Sequence, residues 1–501
     1  MIRINIIAAL TSPPSQDGAG VGALPAEVEW LEVCADLAGD LDPDWLRGRF
    51  AGRLLYSLRS RAEGGNDDRP LELRHERLRR AARSFDLIEL EAERDLTPDL
   101  LAQIPAEKRL VSWHGAAANL RDLEAKFEHL SSVPARFYKL KTNAANCGDE
   151  LLPLTLLGRL RRTDVVAYAD GPLGFWTRLV APSLGAPLVY GLVPAGAAVT
   201  AEPTVDKLIE DYGFPHVEPV GEIYGIVGSQ VFKSLSPRLH NAAYRGLKHP
   251  ALFVPFRAES FTEFWDEVAE SEVLKSLKMP VKGLTVTSPH KETALLTTRK
   301  VSPMSRRAES VNILVRDNGS WRADTTDPEV VFMASRERRV RVKQRRAAVI
   351  GCGGAGRAIA TALDQSGAGV TLVNRGPERG HYASRLLDLP YAPLQGFSAR
   401  GYDIVVNATP VGRDDGAAPF RVETLDRDSV VIDLVYGCEP TPLVAGALAL
   451  DRVAVDGREV LLTQVLRQFQ MMTGRDVPAH LMREKLGIEE EVMNAGQCRL
   501  R

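Results

Sequence analysis

Short apolar runs alternate with charged segments through the first 210 residues. Seven runs have the length of a β-strand and occupy 4–10, 28–36, 53–60, 86–93, 109–114, 135–142 and 164–170. Between them lie segments with helical patterning, such as 71–84 and 120–130. Repeated strand-then-helix units predict a parallel sheet. Seven or eight units in this length favour a closed (β/α)8 barrel, with an open doubly wound sheet as the alternative.

The pattern restarts after a stretch at 194–220 that is rich in Pro, Ala and Gly and predicts a hinge. A new strand-helix pattern runs from Ile223 to about Asp327, and the basic stretch 336–346 has the pattern of a helix. A strand, a glycine-rich turn and a helix follow at 347–363. Further strands are predicted at 369–375, 402–410 and 428–436, and an amphipathic helix at 461–474. We expect an α/β protein whose domains span 1–212, 221–328 completed by helices in 461–490, and 329–460.

Composition removes several classes of function. The chain has 63 Lys and Arg against 65 Asp and Glu, so its net charge does not favour nucleic acid as a partner. Its five cysteines are scattered, which argues against a disulfide framework and a zinc site and favours the reduced cytoplasm. No cluster has metal-ligand spacing, and no metal is expected. The run at 4–10 is too short for a secretion signal, and no run is long enough to cross a membrane. The oligomeric state cannot be read from these patterns.

The glycine-rich turn has the form G-x-G-x-x-G between a predicted strand and a predicted helix. In that context the turn predicts binding of a dinucleotide pyrophosphate at the helix N-terminus. The residues expected to approach the pyrophosphate are Gly351, Gly353, Gly354 and Ala355. The next strand ends in Asn374-Arg375 instead of an acid, which favours the 2′-phosphate of NADP, and Arg379 is a second candidate clamp.

Eight motifs downstream of Tyr224 resemble shikimate dehydrogenases, in that family's order and spacing. They are YGIVGSQVFKSLSPRLHNAAY (224–244), GLTVTSPHK (283–291), ESVNIL (309–314), TTD (325–327), the glycine turn, VNATPVG (406–412), DLVYGCEPTPL (433–443) and DGREVLLTQ (456–464). The resemblance implies a substrate-binding domain followed by a Rossmann-like NADP domain. It also implies that Lys291 and Asp327 are the acid/base couple at the substrate ketone.

The same resemblance implies further contacts. Ser234 and Ser236 stand two apart, so on an extended segment both hydroxyls would face the substrate carboxylate. Thr287, Asn312 and Gln464 are expected to bind ring hydroxyls or the carbonyl, Tyr436 to close the site, and Thr409 to contact the cofactor. Two positions depart from the family. Thr325 stands where the family has Asn, and Lys233 stands where the family often has His.

The first half resembles the type I 3-dehydroquinate dehydratases, which work through a Schiff base. The motifs are LYSLRSRAEGG (55–65), LVSWH (110–114), FYKLK (137–141) and FWTR (175–178). The resemblance implies that Lys139 forms the imine, His114 transfers protons and Glu63 orients His114. Glu32, Arg59 and Arg178 are then expected to bind substrate. Lys141 is either a cation that activates Lys139 or a solvated lysine.

Three positions weaken the dehydratase resemblance. Cys34 stands where the family usually has Arg, and Ala198 and Glu202 where it has Ser and Gln. We expect an active but atypical dehydratase, with a degenerate barrel as the alternative. The chain is then expected to convert 3-dehydroquinate to 3-dehydroshikimate and to reduce this with NADPH to shikimate. A quinate dehydrogenase that uses NAD and a non-catalytic metabolite sensor are the other hypotheses.

Overall fold

The computed structural model describes residues 2–15, 18–194, 202–337, 340–437 and 439–488. The chain divides into two compact units, Met1–Val281 and Lys282–Arg501. The division into three domains stays a prediction. Ala198, Cys438 and Cys498, named from the sequence, lie outside the described residues.

Eight parallel strands form a barrel-like sheet in the first unit. Their order is β9-β2-β3-β4-β5-β6-β7-β8, and a separate antiparallel pair joins β1 (Ile2–Arg3) to β10 (His216–Val217). The barrel strands are β2 (Asn5–Leu10), β3 (Val28–Cys34), β4 (Arg53–Ser57), β5 (Leu87–Glu91), β6 (Arg109–Gly115), β7 (Phe137–Asn143), β8 (Val165–Asp170) and β9 (Leu188–Leu192). Within the described residues no hydrogen-bonded pairing joins β8 to β9, and the rings of Tyr168 and Tyr190 meet there with centroids 6.1 Å apart.

Alternation along the strands gives the barrel interior its layers, because every second side chain points inward. The lowest layer is apolar and contains Ile7, Trp30, Leu55, Leu87, Leu110, Val166 and Leu188. Two residues further along each strand the chain places mostly polar groups, including Glu32, Ser57, Glu89, Ser112 and Lys139, all buried. The third layer, at the carboxyl ends, contains Cys34, Arg59, His114, Lys141 and Asp170.

Ten helices are assigned between Ala19 and Glu210 in the described residues. They are α1 (Ala19–Gly22), α2 (Pro43–Arg47), α3 (Leu71–Ala81), α4 (Ala92–Asp95), α5 (Pro98–Leu101), α6 (Leu120–Leu130), α7 (Leu151–Leu160), α8 (Gly171–Gly174), α9 (Thr177–Val180) and α10 (Val205–Glu210). The predicted helix at 120–130 is confirmed, and its Asn119 side chain accepts from the N–H of Asp122.

The eighth strand-helix unit was not recognised in the sequence. The predicted hinge at 194–220 contains α10, which Thr204 caps by accepting from the N–H of Lys207. β9 and α10 are only five and six residues long, too short to show a clear period.

A buried arginine joins the loops at the carboxyl ends of β4 and β5. Arg74 on α3 donates to both oxygens of Asp95, at 2.8 and 2.7 Å, and to Asp67 at 3.2 Å. Its guanidinium also lies 3.4 Å from Glu91, whose other oxygen accepts from the N–H of Ser60 at 2.6 Å. Arg74 therefore connects three carboxylates around the loop that follows β4, and Arg69 adds a second contact to Asp67 at 2.6 Å.

The first unit continues beyond the barrel into two parallel strands and three helices. These are β11 (Glu222–Gly228), α11 (Ser236–Gly246), β12 (Ala251–Arg257), α12 (Phe261–Phe264) and α13 (Glu272–Ser276). They pack on the barrel through Trp176 and Phe256, with ring centroids 5.2 Å apart, and Arg238 Nε donates to Asp211 at 2.6 Å. Val281, the last residue of this unit, begins β13 (Val281–Val286).

The second unit contains two sheets. One has the order β13-β15-β16-β14, from β14 (Lys300–Val301), β15 (Ile313–Asp317) and β16 (Ser320–Asp324), with α14 (Pro303–Ala308) beside it. The other is parallel, in the order β19-β18-β17-β20-β21-β22. Its strands are β17 (Arg346–Ile350), β18 (Gly369–Asn374), β19 (Tyr391–Pro393), β20 (Ile404–Asn407), β21 (Val430–Asp433) and β22 (Val453–Val455).

Six helices accompany the parallel sheet. They are α15 (Glu329–Glu337), α16 (Gly354–Gln365), α17 (Pro377–Leu387), α18 (Pro442–Ala449), α19 (Gly457–Thr473) and α20 (Ala479–Leu486). The helix predicted at 336–346 is wrong for the described residues after Glu337. Residues 340–345 form turns and coil, and Arg346 begins β17 because its strand register is fixed by β18 and β20. No helix among the described residues is long and apolar enough to cross a membrane.

We expect Arg74→Met to destabilise the barrel by about 3–5 kcal/mol, because it leaves Glu91 and Asp95 buried without their arginine, whereas Asp67 keeps Arg69. Urea-induced unfolding followed by tryptophan fluorescence measures the change. The matched control is Arg159→Met, which removes an exposed pair with Glu124 at 2.8 Å and should cost no more than about 1 kcal/mol. Equal losses in the two variants would contradict the structural role of Arg74.

Candidate active sites

Lys139 is buried in the middle layer of the barrel, with 1% of its surface exposed. Its Nζ lies 2.8 Å from Glu89 Oε1 and 4.8 Å from the ring centre of Tyr190. Burial opposes ionisation of Glu89, but the charges of Lys139 and Arg59 outweigh it and lower the pKa of Glu89 to about 2. The amine is therefore held at a fixed point by a carboxylate that stays charged.

His114 lies one layer above, on the neighbouring strand. Its Nδ1 is 2.7 Å from Glu63 Oε2, and the same oxygen accepts from its backbone N–H at 3.1 Å. Burial, with the charges of Arg59 and Lys139, lowers the pKa of His114 well below its usual value. Burial, with the nearby Glu91 and Glu89 carboxylates, raises the pKa of Glu63 to about 9. Both pKa shifts favour the uncharged forms, a neutral imidazole on His114 and a neutral carboxyl group on Glu63. The contact with Glu63 fixes the orientation of the imidazole ring.

One oxygen of Glu89 lies between the amine and the imidazole. Glu89 Oε1 is 2.8 Å from Lys139 Nζ and 3.5 Å from His114 Nε2. Glu89 was not identified from the sequence. The signal that could have found it is the strand period, since Leu87 is an inward apolar residue and Glu89 stands two positions on.

Glu32 and Arg59 occupy the opposite side of the cavity. Burial raises the pKa of Glu32, and the charge of Lys139 partly opposes this. The Arg59 side chain faces the carboxylates of Glu89 and Glu32, which raise the pKa of Arg59 although burial opposes them. The sequence predicted both residues as substrate contacts, and both line the cavity with Lys139.

Four charged side chains surround the mouth of the same cavity. Lys141 Nζ lies 2.8 Å from Asp170, and Arg178 Nη2 lies 3.3 Å from the other oxygen of Asp170. Glu202 lies 3.6 Å from both cations. Cys34, which replaces the arginine of the family pattern, is buried on the same wall.

The second unit contains a buried ion pair at the positions predicted for acid/base chemistry. Lys291 Nζ lies 2.7 Å from Asp327 Oδ2. Asp327 is 2% exposed, whereas the side chain of Lys291 is 18% exposed. Solvent and substrate therefore reach the ion pair from the lysine side.

Two side-chain amide groups donate hydrogen bonds to the second carboxylate oxygen of Asp327. Its Oδ1 accepts from Asn312 Nδ2 and from Gln464 Nε2, each at 2.9 Å. The carboxylate is thus held by three donors from three separate segments of the second unit. Such bonds fix its orientation.

Thr325, which stands where the family has Asn, still takes part in the hydrogen bonds around Asp327. Thr325 Oγ1 accepts from the N–H of Asp327 at 3.3 Å, and the neighbouring Thr326 hydroxyl accepts from Asn312 at 3.1 Å. Gln468 donates to the same hydroxyl at 3.0 Å and was not identified from the sequence. Gln468 could have been recognised from its spacing of four residues from Gln464, which places both amides on one face of α19.

The remaining predicted substrate residues are placed as follows. Thr287 directly follows β13, and the half-buried Tyr436 lies beyond β21. In the first unit, Ser234 Oγ accepts from the N–H of Ser236 at 3.1 Å. The extended segment expected there is not found, because Leu235 has helical backbone angles and Pro237 favours the start of α11 at Ser236.

The glycine turn between β17 and α16 has the close approaches that require glycine. Gly351 has φ +104°, and a Cβ at Gly356 would lie 1.8 Å from the carbonyl oxygen of Gly351. Among the described residues, no heavy atom lies within 4 Å of a Cβ built on Gly353, so this part of the structure leaves space open above the N-terminus of α16. A Cβ on Gly354 would lie 3.2 Å from Lys291 Cδ, so the turn adjoins the acid/base pair. Ala355 follows in the first turn of the helix.

The end of β18 presents polar and basic groups to the turn. Asn374 Oδ1 accepts from the N–H of Cys352 at 3.1 Å, and Arg375 and Arg379 are exposed beyond it. The methyl carbon of Thr409 would lie 2.9 Å from a Cβ on Gly351, which places Thr409 beside the turn. These residues provide the open helix N-terminus and the cations that a dinucleotide phosphate requires.

Arg357 was not identified from the sequence. It is buried on α16 and donates to the carbonyls of Ala308 at 2.8 Å and Glu309 at 3.0 Å, and to Glu292 Oε1 at 2.8 Å. It therefore joins the helix that follows the glycine turn to the residue next to Lys291. Its position in the helical motif was visible, but its partners are 48 to 65 residues away along the chain.

Two family models match different parts of the chain. Residues 26–219 match the family model for type I 3-dehydroquinase, and residues 226–314 match the shikimate dehydrogenase substrate binding domain. The bifunctional 3-dehydroquinate dehydratase/shikimate dehydrogenase of Arabidopsis thaliana, a chloroplastic protein, is 25% identical over 85% of this chain and 74% of its own length.

Two further relatives cover different shares of the chain. The shikimate dehydrogenase (NADP(+)) of Halorubrum lacusprofundi is 34% identical over 54% of this chain and 100% of its own. The solved dehydroquinate dehydratase and shikimate dehydrogenase of S. pombe is 21% identical and covers 97% of this chain and 98% of its own, with a TM-score of 0.43. The chain belongs to the shikimate dehydrogenase family, and it joins to that enzyme an N-terminal type I 3-dehydroquinase barrel.

Proposed function

We propose that this chain catalyses two consecutive reactions on one carbocyclic acid. The barrel dehydrates 3-dehydroquinate to 3-dehydroshikimate through an imine on Lys139, and the second activity reduces 3-dehydroshikimate to shikimate with NADPH. The single observation that carries the dehydratase is the grouping of Lys139, Glu89 and His114 around one carboxylate oxygen. The buried Lys291–Asp327 pair beside the glycine turn supports the dehydrogenase.

In the dehydratase, Lys139 passes a proton to Glu89 and attacks the substrate ketone as an amine, and the same proton then leaves with the hydroxyl as water, which gives an iminium. The iminium draws electrons from the adjacent C–H bond, so His114 Nε2 can remove that proton. The same imidazole then returns the proton to the departing hydroxyl. Glu63 holds the ring at Nδ1 throughout, and water finally hydrolyses the imine and frees Lys139.

The burial of these groups argues against a purely structural barrel. Lys139, His114 and Glu89 are each at most 6% exposed in the centre of the sheet. Apolar residues of similar size would cost less there, because burying charges requires their desolvation. Perturbed pKa values like those of His114 and Glu63, which contact each other beside Glu89, are typical of a catalytic site.

The dehydrogenase residues fit a nicotinamide dinucleotide. Gly351, Gly353, Gly354, Ala355, Asn374 and Thr409 would hold its phosphates and ribose, and Arg375 and Arg379 its 2′-phosphate. NADPH, when bound, supplies the hydride for the ketone carbon. Lys291 delivers the proton to the ketone oxygen, and Asp327 holds the ammonium group in place through its 2.7 Å contact.

The substrate and compartment follow from the same proposal. Thr287, Asn312, Gln464 and Tyr436 in the second unit would bind the ring substituents of the substrate. The carboxylate contacts expected of Ser234 and Ser236 stay predictions. Cys34, Cys147 and Cys352 are free, which supports a reducing compartment such as the cytoplasm. Small molecules are the proposed partners, with neither nucleic acid nor membrane.

A coupled assay tests the two halves separately. With 3-dehydroquinate and NADPH, we expect Lys139→Met to abolish NADPH oxidation, because no imine forms, and His114→Ala to lower kcat by roughly 10²–10⁴. Both variants should keep their full rate on added 3-dehydroshikimate. Borohydride with dehydroquinate should label Lys139 in the wild type and in His114→Ala. Absence of label in an otherwise active wild-type dehydrogenase would eliminate the imine mechanism.

Lys291→Met should lower kcat for 3-dehydroshikimate by roughly 10²–10⁴, since the proton donor at the ketone oxygen is lost. NADPH binding, followed by fluorescence, should persist. The matched control is Lys300→Met, an exposed lysine whose Nζ donates to Ser320 at 2.6 Å. A variant that retained its kcat would exclude Lys291 from the chemistry, and a sensor would retain binding with no turnover even in the wild type.

Arg375→Ser and Arg379→Ser should each raise the KM for NADPH, together by about 10- to 100-fold, the loss expected for charge-assisted hydrogen bonds. The KM for NADH should change little, because NADH lacks the 2′-phosphate. Arg385→Ser, an exposed arginine on α17, is the control. If NAD⁺ with quinate supports faster turnover than NADP⁺ with shikimate in the wild type, the NADP assignment is wrong.

A further inference from the structure

Tyr190 places an aromatic ring against the amine of Lys139. It follows the inward apolar residue Leu188 by two positions on β9, so its side chain also points into the barrel. The Lys139 Nζ lies 4.8 Å from the centre of the Tyr190 ring, within the range of a cation–π contact, about 6 Å. The tyrosine lines the same cavity as Lys139 and Glu32. Tyr190 is therefore part of the wall that an imine on Lys139 would face.

The hydroxyl group of Tyr190 has no hydrogen-bond partner among the described residues, although the residue is only 5% exposed. A buried hydroxyl without a partner costs free energy, and a phenylalanine would fill the same volume without this cost. Tyr138 provides the contrast, because it is also 5% exposed but its hydroxyl is paired. That hydroxyl donates to the carbonyl of Val133 at 2.9 Å and accepts from the N–H of Ala135 at 3.2 Å. The unpaired hydroxyl thus distinguishes Tyr190 from a tyrosine with a structural role.

The Tyr190 hydroxyl keeps its proton at neutral pH. Burial, together with the negative charges of Glu32 and Glu89, raises the pKa of Tyr190 well above its usual value. A protonated phenol can donate one hydrogen bond to an oxygen of a bound molecule. The cavity wall beside Lys139 therefore presents a neutral donor in addition to its charged groups.

The order of the strands determines which side of the substrate Tyr190 would meet. His114 lies on β6, Lys139 on the adjacent β7 and Tyr190 on β9, so the amine stands between the imidazole and the phenol. The ketone carbon of 3-dehydroquinate has a CH2 group on one side and a carbon that bears a hydroxyl on the other. His114 faces the CH2 group when it removes the proton. The carbon with the hydroxyl then points to the opposite side, where Tyr190 lies.

We infer that the Tyr190 hydroxyl donates a hydrogen bond to the substrate hydroxyl on the carbon next to the imine, which makes Tyr190 a specificity-determining residue of the dehydratase. The inference rests on the proposed dehydratase activity. The substrate supplies the acceptor that the phenol does not find among the described residues. The ring stays against the nitrogen of Lys139, which carries a positive charge in the iminium. The phenol exchanges no proton with the substrate, so the imine chemistry of Lys139 and His114 proceeds without its hydroxyl.

The variant Tyr190→Phe removes only this hydroxyl and keeps the ring. We expect kcat/KM on 3-dehydroquinate to fall about 3- to 10-fold, the loss expected for one hydrogen bond between neutral groups. The midpoint of urea-induced unfolding should stay the same or rise, because a buried hydroxyl without a partner is removed. Tyr138→Phe is the matched control. Its urea midpoint should fall, since the bond to Val133 is lost, whereas its kcat/KM should equal that of the wild type.

A modified substrate identifies the oxygen that Tyr190 contacts. The probe is an analogue of 3-dehydroquinate with hydrogen in place of the hydroxyl on the carbon next to the ketone. On this analogue the wild type and Tyr190→Phe should have the same kcat/KM, because the acceptor is missing in both cases. The hydroxyl of the enzyme and the hydroxyl of the substrate then contribute to one interaction, and removing the second partner costs nothing further.

Three results would overturn the inference. The first is an unchanged kcat/KM of Tyr190→Phe on 3-dehydroquinate. The second is a fall in its urea midpoint equal to that of Tyr138→Phe, which would give the hydroxyl a structural role. The third is a loss of kcat/KM that persists on the analogue, which would assign the hydroxyl to another contact. Borohydride should label Lys139 in the wild type and in Tyr190→Phe alike. Absence of label in the wild type would instead reject the dehydratase activity itself, and the inference with it.

Discussion

Charges can be buried in the centre of the barrel only because opposite charges meet there at fixed distances. The ion pair between Lys139 and Glu89, with 2.8 Å between Nζ and Oε1, lies in the middle layer of the barrel. It places a nucleophilic amine inside a sheet whose lower layer is entirely apolar at Ile7, Leu55 and Leu110. Removing one partner would leave an uncompensated charge in a region of low dielectric constant. The neighbouring groups are arranged around this requirement.

Further polar and charged residues surround the Lys139–Glu89 pair, from the cavity outward. Glu89 also approaches His114, Glu63 holds the imidazole, and Glu91 accepts from the backbone next to the Glu63 loop. Arg74 then neutralises Glu91 from outside the cavity. The catalytic layer is thus stabilised by residues that never face the substrate, which is why their mutation should affect stability and geometry more than chemistry.

In the second unit, side-chain amides hold the buried carboxylate that pairs with a lysine. Asp327 is buried, with Lys291 on one oxygen and Asn312 and Gln464 on the other. Because the amides are neutral, the aspartate remains the only charge that faces Lys291 among these contacts. The glycine at 354 lets the dinucleotide turn approach the lysine stem, so the acid/base pair and the cofactor turn are adjacent.

The sequence alone determined the classes of structure and most of the chemistry. The strand period predicted seven barrel strands, and the ordered motifs predicted Lys139, His114, Glu63, Lys291 and Asp327. These signals are local, since each depends on neighbouring residues or on a short motif. The proposed roles of these residues as substrate and cofactor contacts remain predictions.

Only the tertiary structure showed which other residues contact the predicted site residues and hold them in place. Glu89, Gln468, Arg357 and Arg74 have partners far away along the chain, and no local pattern shows such contacts. The short elements β9 and α10 were missed because packing on the barrel, not periodicity, defines them. Lys141 is the clearest example. The sequence left it between an activating cation and a solvated lysine, whereas the fold brings Asp170, Arg178 and Glu202 around it because parallel strands end at one edge of the barrel.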